Sequence, residues 1–228
     1  MEPGRDGNAL VWEMFRLARL SSTALFVALC VLPAAAQERE RGALIAAGGG
    51  PGGQRSACFT CHGIDGGGQA ESGTPALARI DADYLVRQLD DYASQARHDP
   101  AMSEIARALS PADRRAVSLH YARLARSTPA ALRYDPAHLQ DGAALYAIGS
   151  ARVQACIDCH GPQARGTNAA PALAAQPASY TARQLRLWQE GKRTNDPDRI
   201  MARVAQAMSA REVEAVAAYL ASLGPVAD

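Results

Sequence analysis

Two pentapeptides carry residue types that can do chemistry: Cys58-Phe59-Thr60-Cys61-His62 and Cys156-Ile157-Asp158-Cys159-His160, each followed by glycine (Gly63, Gly161). Two cysteines three residues apart, with a histidine directly after the second, have the spacing of covalent haem attachment. The cysteines reach two vinyl groups on one haem edge as thioethers, and the histidine offers its nitrogen to the iron. Zinc held by two Cys-x-x-Cys pairs, or a thioredoxin-like redox pair, would use the same residue types. A zinc ribbon gathers its pairs over a short span, however, and these stand nearly a domain apart. A redox pair has no need of the trailing histidine. Two covalently bound haem c groups are therefore expected, one on Cys58 and Cys61 with His62 as proximal ligand, the other on Cys156 and Cys159 with His160.

The sixth iron position decides between carrier and catalyst. A methionine thioether there raises the reduction potential and closes the iron, whereas an open position invites substrate. Beyond the N-terminal leader the methionines are Met102, Met201 and Met208. Aligning the two haem motifs pairs Met102 with Met201, so these are the candidate axial ligands; Met208 pairs with Leu109 and reads as core. His98, His120 and His138 are rivals, but none has a histidine counterpart in the other half, and all three read as surface residues.

The elements that must position these groups repeat with the motifs. Pro75-Ala76-Leu77-Ala78 matches Pro171-Ala172-Leu173-Ala174, and Tyr84 to Leu89 matches Tyr180 to Leu185. Both copies read as helical, without convincing strand alternation. Residues 81–96 place Tyr84, Gln88, Leu89 and Tyr92 at helical spacing, as do Tyr180, Gln184, Leu185 and Trp188 in the second copy. Ser110-Pro111 and the Ser209-to-Glu212 capping box mark the start of each closing helix. Residues 138–148 read as a helix, and a short one around 39–47 runs into the flexible glycine turn 48–53.

The chain has 228 residues, 48% of them hydrophobic, and a formal net charge of +1. That balance gives no electrostatic case for nucleic acid. Lys192 is the only lysine, which argues against a lysine-ringed docking face. Arg16, Arg19, the apolar run Leu20 to Leu32 and Pro33-Ala34-Ala35-Ala36 read as an export signal, residues 1–36, cut before Gln37. Cys30 leaves with it. Residues 37–128 then form the first domain, 129–136 a linker and 137–228 the second. Domains of about 90 residues are small for an independent core, and a buried haem would make up the shortfall.

Leu145-Tyr146, Ala155 to Pro162, Pro171-Ala172-Leu173, Gln184-Leu185, Gly191-Lys192-Arg193 and Met201 together resemble cytochrome c4, a dihaem periplasmic class of c-type cytochrome. The resemblance runs from about residue 40 to 223, and the glycine run 48–53 departs from the family's usual opening helix. It implies an all-α protein of two tandem cytochrome c-type domains related by a pseudo-twofold, haem edges facing across their interface and His/Met ligation at both irons. It also implies that Pro75 and Pro171 lie against the proximal histidines, and Arg97 and Arg193 near the propionates.

The function expected on this basis is electron transfer in the periplasm, not enzymatic catalysis. The partners would be redox proteins, from the quinol-oxidising side of a respiratory chain towards a terminal oxidase, with membrane contact only through partners or an uncut leader. One alternative is a dihaem subunit of a periplasmic dehydrogenase of the sulfide or alcohol type. Another is a dihaem enzyme such as a peroxidase or thiosulfate dehydrogenase, which needs an exchangeable ligand at one iron.

Overall fold

The computed structural model describes residues 34–125, 134–167 and 170–224. The chain up to Glu38 forms one unit and the chain from Arg39 onward another, which contains both repeats. Most of the expected export signal and linker lies outside the described residues.

The first repeat comprises α1 (Ala34–Gly48), α2 (Cys58–His62), α3 (Ala82–Ser94), α4 (Pro100–Ala108) and α5 (Pro111–Arg123). The second comprises α6 (Pro136–Ile148), α7 (Ile157–His160), α8 (Ala178–Gln189), α9 (Ile200–Ala207) and α10 (Ala210–Ser222). Among the described residues the only extended pairing is an isolated bridge between Gln69 and Thr74. No helix of the described residues is long and apolar enough to cross a membrane.

Side-chain caps start five of these helices by satisfying N–H groups that have no partner within the helix. Asp81 accepts from Tyr84 N to start α3, and Asp99 accepts from Met102 N to start α4. Both closing helices carry a full capping box: Ser209 with Glu212, as the sequence implies, and also Ser110 with Asp113. The glycine run, expected as a flexible turn, instead winds into two successive one-turn 3-10 helices, Gly50–Gly52 and Gln54–Ser56. Gly49 (φ 77°) leads into the first and Gly53 (φ 67°) joins the two, both at positive φ that favours glycine. The helix before the run begins earlier than expected, at Ala34.

The opening and closing helices of each repeat cross in close contact. A Cβ at Gly42 would lie 2.2 Å from the Ala116 carbonyl oxygen, and one at Gly142 2.1 Å from that of Ala215. Each glycine thus lets backbone meet backbone at the crossing. An ion pair stands beside each: Arg41 with Asp113 at 2.7 Å, and Asp141 with Arg211 at 2.8 Å.

Two apolar clusters lie beneath these helices. The second repeat buries Leu145, Tyr146, Trp188, Val213, Val216 and Leu220, together with Met208, the methionine expected in the core. The first repeat buries Ile45, Ile80, Leu85, Leu109, Val117 and Tyr121, and its cluster includes Ala172 from the second repeat. His98 is exposed as expected, but His138 and His120 are half-buried. The His120 ring meets Tyr121 edge-on, 5.2 Å between centroids, and burial lowers its pKa.

Candidate functional site

The two Cys-x-x-Cys-His segments each form one tight helical turn, and Gly63 (φ 80°) and Gly161 (φ 73°) end the turns. That geometry turns both imidazoles inward, leaving His62 6% and His160 7% exposed. His62 Nδ1 donates to the Pro75 carbonyl at 2.9 Å, and His160 Nδ1 to that of Pro171 at 2.8 Å. A carbonyl only accepts, so each Nδ1 carries the proton and each Nε2 keeps a free lone pair. Burial pulls both pKa values below the usual histidine range, favouring that neutral form. These are imidazoles prepared for a metal, with ring orientation fixed from behind. The positions of Pro75 and Pro171 agree with what the family resemblance implies.

None of the four motif cysteines is paired in a disulfide. Cys58 and Cys156 are half-buried, and burial pushes both up to about 11; Cys61 and Cys159 are exposed. Each motif therefore presents one half-buried and one exposed sulfur. Among the described residues no three His, Cys, Asp or Glu side chains are grouped so that they could hold a metal ion together. Phe59 and Ile64, 41% and 87% exposed, leave an apolar rim around the first motif.

Met102 and Met201 lie in the first turns of α4 and α9, both half-buried. Asp99 fixes the first by accepting from Met102 N at 3.1 Å. Asp196 fixes the second more indirectly, accepting from Trp188 Nε1 at 3.1 Å and from Ala202 N at 3.0 Å. Met208 turns into the apolar cluster instead.

The seam between the repeats is polar and symmetric. Arg97 and Arg193 are each only 5% exposed. Arg97 donates to Gln88 Oε1 of its own repeat at 2.7 Å, and across the seam to Gln184 Oε1 at 2.8 Å and the Tyr180 hydroxyl at 3.1 Å. Arg193 mirrors it, donating to Gln184 at 2.9 Å and across to Gln88 at 3.2 Å and Tyr84 at 3.3 Å. Arg97 lies over the Tyr92 ring and Arg193 over that of Trp188, 4.7 and 4.0 Å from the centroids. Burial favours neutral Tyr180, yet the two guanidiniums outweigh it and draw its pKa below the ordinary value.

Neither guanidinium has a carboxylate within ion-pair distance among the described residues. Two buried cations held only by neutral oxygens and ring faces are costly unless an anion joins them. Haem propionates are such anions, so the seam fits the group that the cysteines and histidines would attach. Sequence reading singled out the arginines and placed Gln88 and Gln184 at helical spacing with their tyrosines, but gave neither glutamine a role at the seam. The available signal was Tyr-x-x-x-Gln twice, at Tyr84/Gln88 and Tyr180/Gln184, a glutamine on an otherwise buried stripe.

The family described as Cytochrome c matches this chain twice, over residues 52–120 and 139–224. A protein of Stutzerimonas stutzeri (strain A1501) named thiosulfate dehydrogenase electron acceptor is 43% identical over 171 residues, 74% of this chain and 79% of that protein. A solved thiosulfate dehydrogenase from Marichromatium purpuratum superposes with a TM-score of 0.75 at 38% identity, covering 82% of this chain. The match spans only 40% of that longer chain. Reduced cytochrome c4 from Pseudomonas stutzeri superposes with a TM-score of 0.71 at 31% identity, over 81% of this chain and 98% of that one.

Proposed function

Since the chain belongs to the cytochrome c family, as a tandem protein of the cytochrome c4 kind with two covalent haem c groups, we propose that it accepts electrons from a thiosulfate-oxidising dehydrogenase in the periplasm and passes them on. Electron transfer by a dihaem cytochrome is common to the relatives; the donor is the proposed part. The observation that carries it is the 43% identity to a protein named as the electron acceptor of thiosulfate dehydrogenase, against 31–34% for four relatives named cytochrome c4. Substrate oxidation then belongs to the partner, and this chain is a carrier.

In this reading Cys58, Cys61, Cys156 and Cys159 would hold the groups by thioethers, and His62 with Met102, and His160 with Met201, would ligate the irons. Haem c, when bound, supplies one-electron Fe(III)/Fe(II) chemistry. His62 and His160 keep the Nδ1 proton on their proline carbonyls in both oxidation states, so ligation stays constant and reorganisation small. Met102 and Met201 would close the irons to small molecules. Arg97 and Arg193 neutralise acidic groups at the seam and exclude water there, which favours passage between the two sites.

Stopped-flow absorption tests the donor. Oxidised dihaem protein mixed with a thiosulfate dehydrogenase and thiosulfate should be reduced within the enzyme's turnover time, and omission of either component should leave it oxidised. If it stays oxidised with both present, yet is reduced by a quinol-oxidising complex and quinol, the thiosulfate assignment fails. The general shuttle towards a terminal oxidase, which the near-complete coverage of cytochrome c4 favours, then takes its place.

A further inference from the structure

The two proximal histidines have the same first partner but not the same second one. His62 Nδ1 donates to the Pro75 carbonyl, and that carbonyl belongs to the same peptide unit as the Ala76 N–H. Ala76 N donates in turn to Oε1 of Gln176, a side chain from the second repeat, at 3.1 Å. Gln176 completes the clamp by donating Nε2 to the Ala76 carbonyl at 2.8 Å, and it is only 5% exposed. In the second repeat the chain starts identically, from His160 to Pro171 and thus to Ala172. The residue of the first repeat that corresponds to Gln176 is Ile80, which has no amide and lies with Ala172 in an apolar cluster.

A peptide unit is planar and conjugated, so charge drawn at its N–H end is felt at its oxygen. Hydrogen bonds in a chain polarise one another, by about 10–30% per bond. Accepting from Ala76 N makes the Pro75 oxygen a better acceptor for His62, and the second donor on Ala76 holds the unit in place. A histidine whose Nδ1–H is more strongly bound is a stronger donor at Nε2, which favours the ferric iron.

We propose that Gln176 is a one-way positioning residue by which the second repeat sets the reduction potential of the first haem, with no reciprocal control from the first repeat. The inference rests on His62 being the proximal ligand. It gives two nearly duplicate sites different potentials without changing an iron ligand.

The test uses the full dihaem protein with Gln176→Met and Gln176→Glu, resolving the two potentials by spectroelectrochemistry. NMR of the reduced protein follows the Nδ1–H resonance of His62. Gln176→Met should move that resonance upfield and favour reduction of the first haem by about threefold, a rise of about 28 mV at 59 mV per decade. The second haem should stay where it is. Gln176→Glu keeps an acceptor for Ala76 N and should move the His62 resonance downfield. Ser179→Ala, which removes a bond to the Ala70 carbonyl in the same loop, should leave both potentials unchanged. Equal shifts at both haems, or an unmoved His62 resonance in Gln176→Met, overturn the proposal. Failed ligation by His62 shows separately, as an altered absorption spectrum of the unsubstituted protein.

Discussion

Arg97 and Arg193 share a single carboxamide oxygen: Oε1 of Gln184 accepts from the first at 2.8 Å and from the second at 2.9 Å. Two like charges are brought that close because neutral acceptors of both repeats surround them. Each guanidinium therefore bonds side chains of both repeats. Arg97→Leu or Arg193→Leu should lower both potentials, since a nearby cation favours the iron with one charge fewer. The expected fall is up to about 59 mV, a tenfold bias for one electron. Protein-film voltammetry of the two variants measures it, and a fall at one haem alone contradicts the shared seam.

Carbon monoxide reports whether the irons are closed. The reduced protein should bind none near neutral pH. Met102→Ala should open the first iron and Met201→Ala the second, each giving about half the full carbon monoxide difference spectrum. Met208→Leu should open neither, because that side chain is committed to the apolar cluster. Binding by the unsubstituted protein would move a catalytic or sensing role to the front.

The glycine crossings give a prediction about stability. An alanine at Gly42 or Gly142 places a methyl about 2 Å from a carbonyl oxygen of the closing helix, and backbone on both sides must separate. Each substitution should cost about 1–3 kcal/mol, read as a lowered midpoint in urea. Alanine at Gly48, where nothing stands near, should be neutral or slightly stabilising.

Acid should weaken both closing helices through their capping carboxylates. The Arg41 hydrogen bond, with those from Ser110, holds Asp113 below the usual carboxylate value, and backbone and side-chain bonds from Ser209 do the same for Glu212. A depressed native pKa means that the unfolded chain takes up protons first as pH falls. The stabilisation is thus complete above the unfolded value near pH 4 and disappears as pH drops through the native values. Urea midpoints between pH 6 and pH 3 should fall less steeply for Asp113→Asn and Glu212→Gln.

Where structure follows from neighbours in sequence, it was legible. The haem motifs, the capping box at Ser209 and the burial of Met208 depend on short spacing or on comparison of the two repeats. The glycine crossings were not, because Gly42 and Gly142 read as weak points in a helix until a second helix lies against them. Gln88 and Gln184 were legible as members of a helical stripe, but not their bonds to the arginines of both repeats, because half of those partners come from the other repeat. His120 lost its expected exposure in the same way, where the helix bearing Gly42 crosses over it. The glycine run held more order than its composition suggests, since left-handed glycines can link helical turns as well as interrupt them.

The sharing of Ala172 has a consequence in time. The first repeat's apolar cluster is complete only when this residue of the second repeat reaches it, and Gln176 and Ser179 fasten the same side of the first haem loop. Synthesis delivers the first repeat early, so Cys58 and Cys61 are available for attachment before their own domain has its last packing partner. The second repeat draws the apolar members of its cluster from its own sequence. Maturation would thus run against the direction of the chain: the later half settles first and then locks the earlier one.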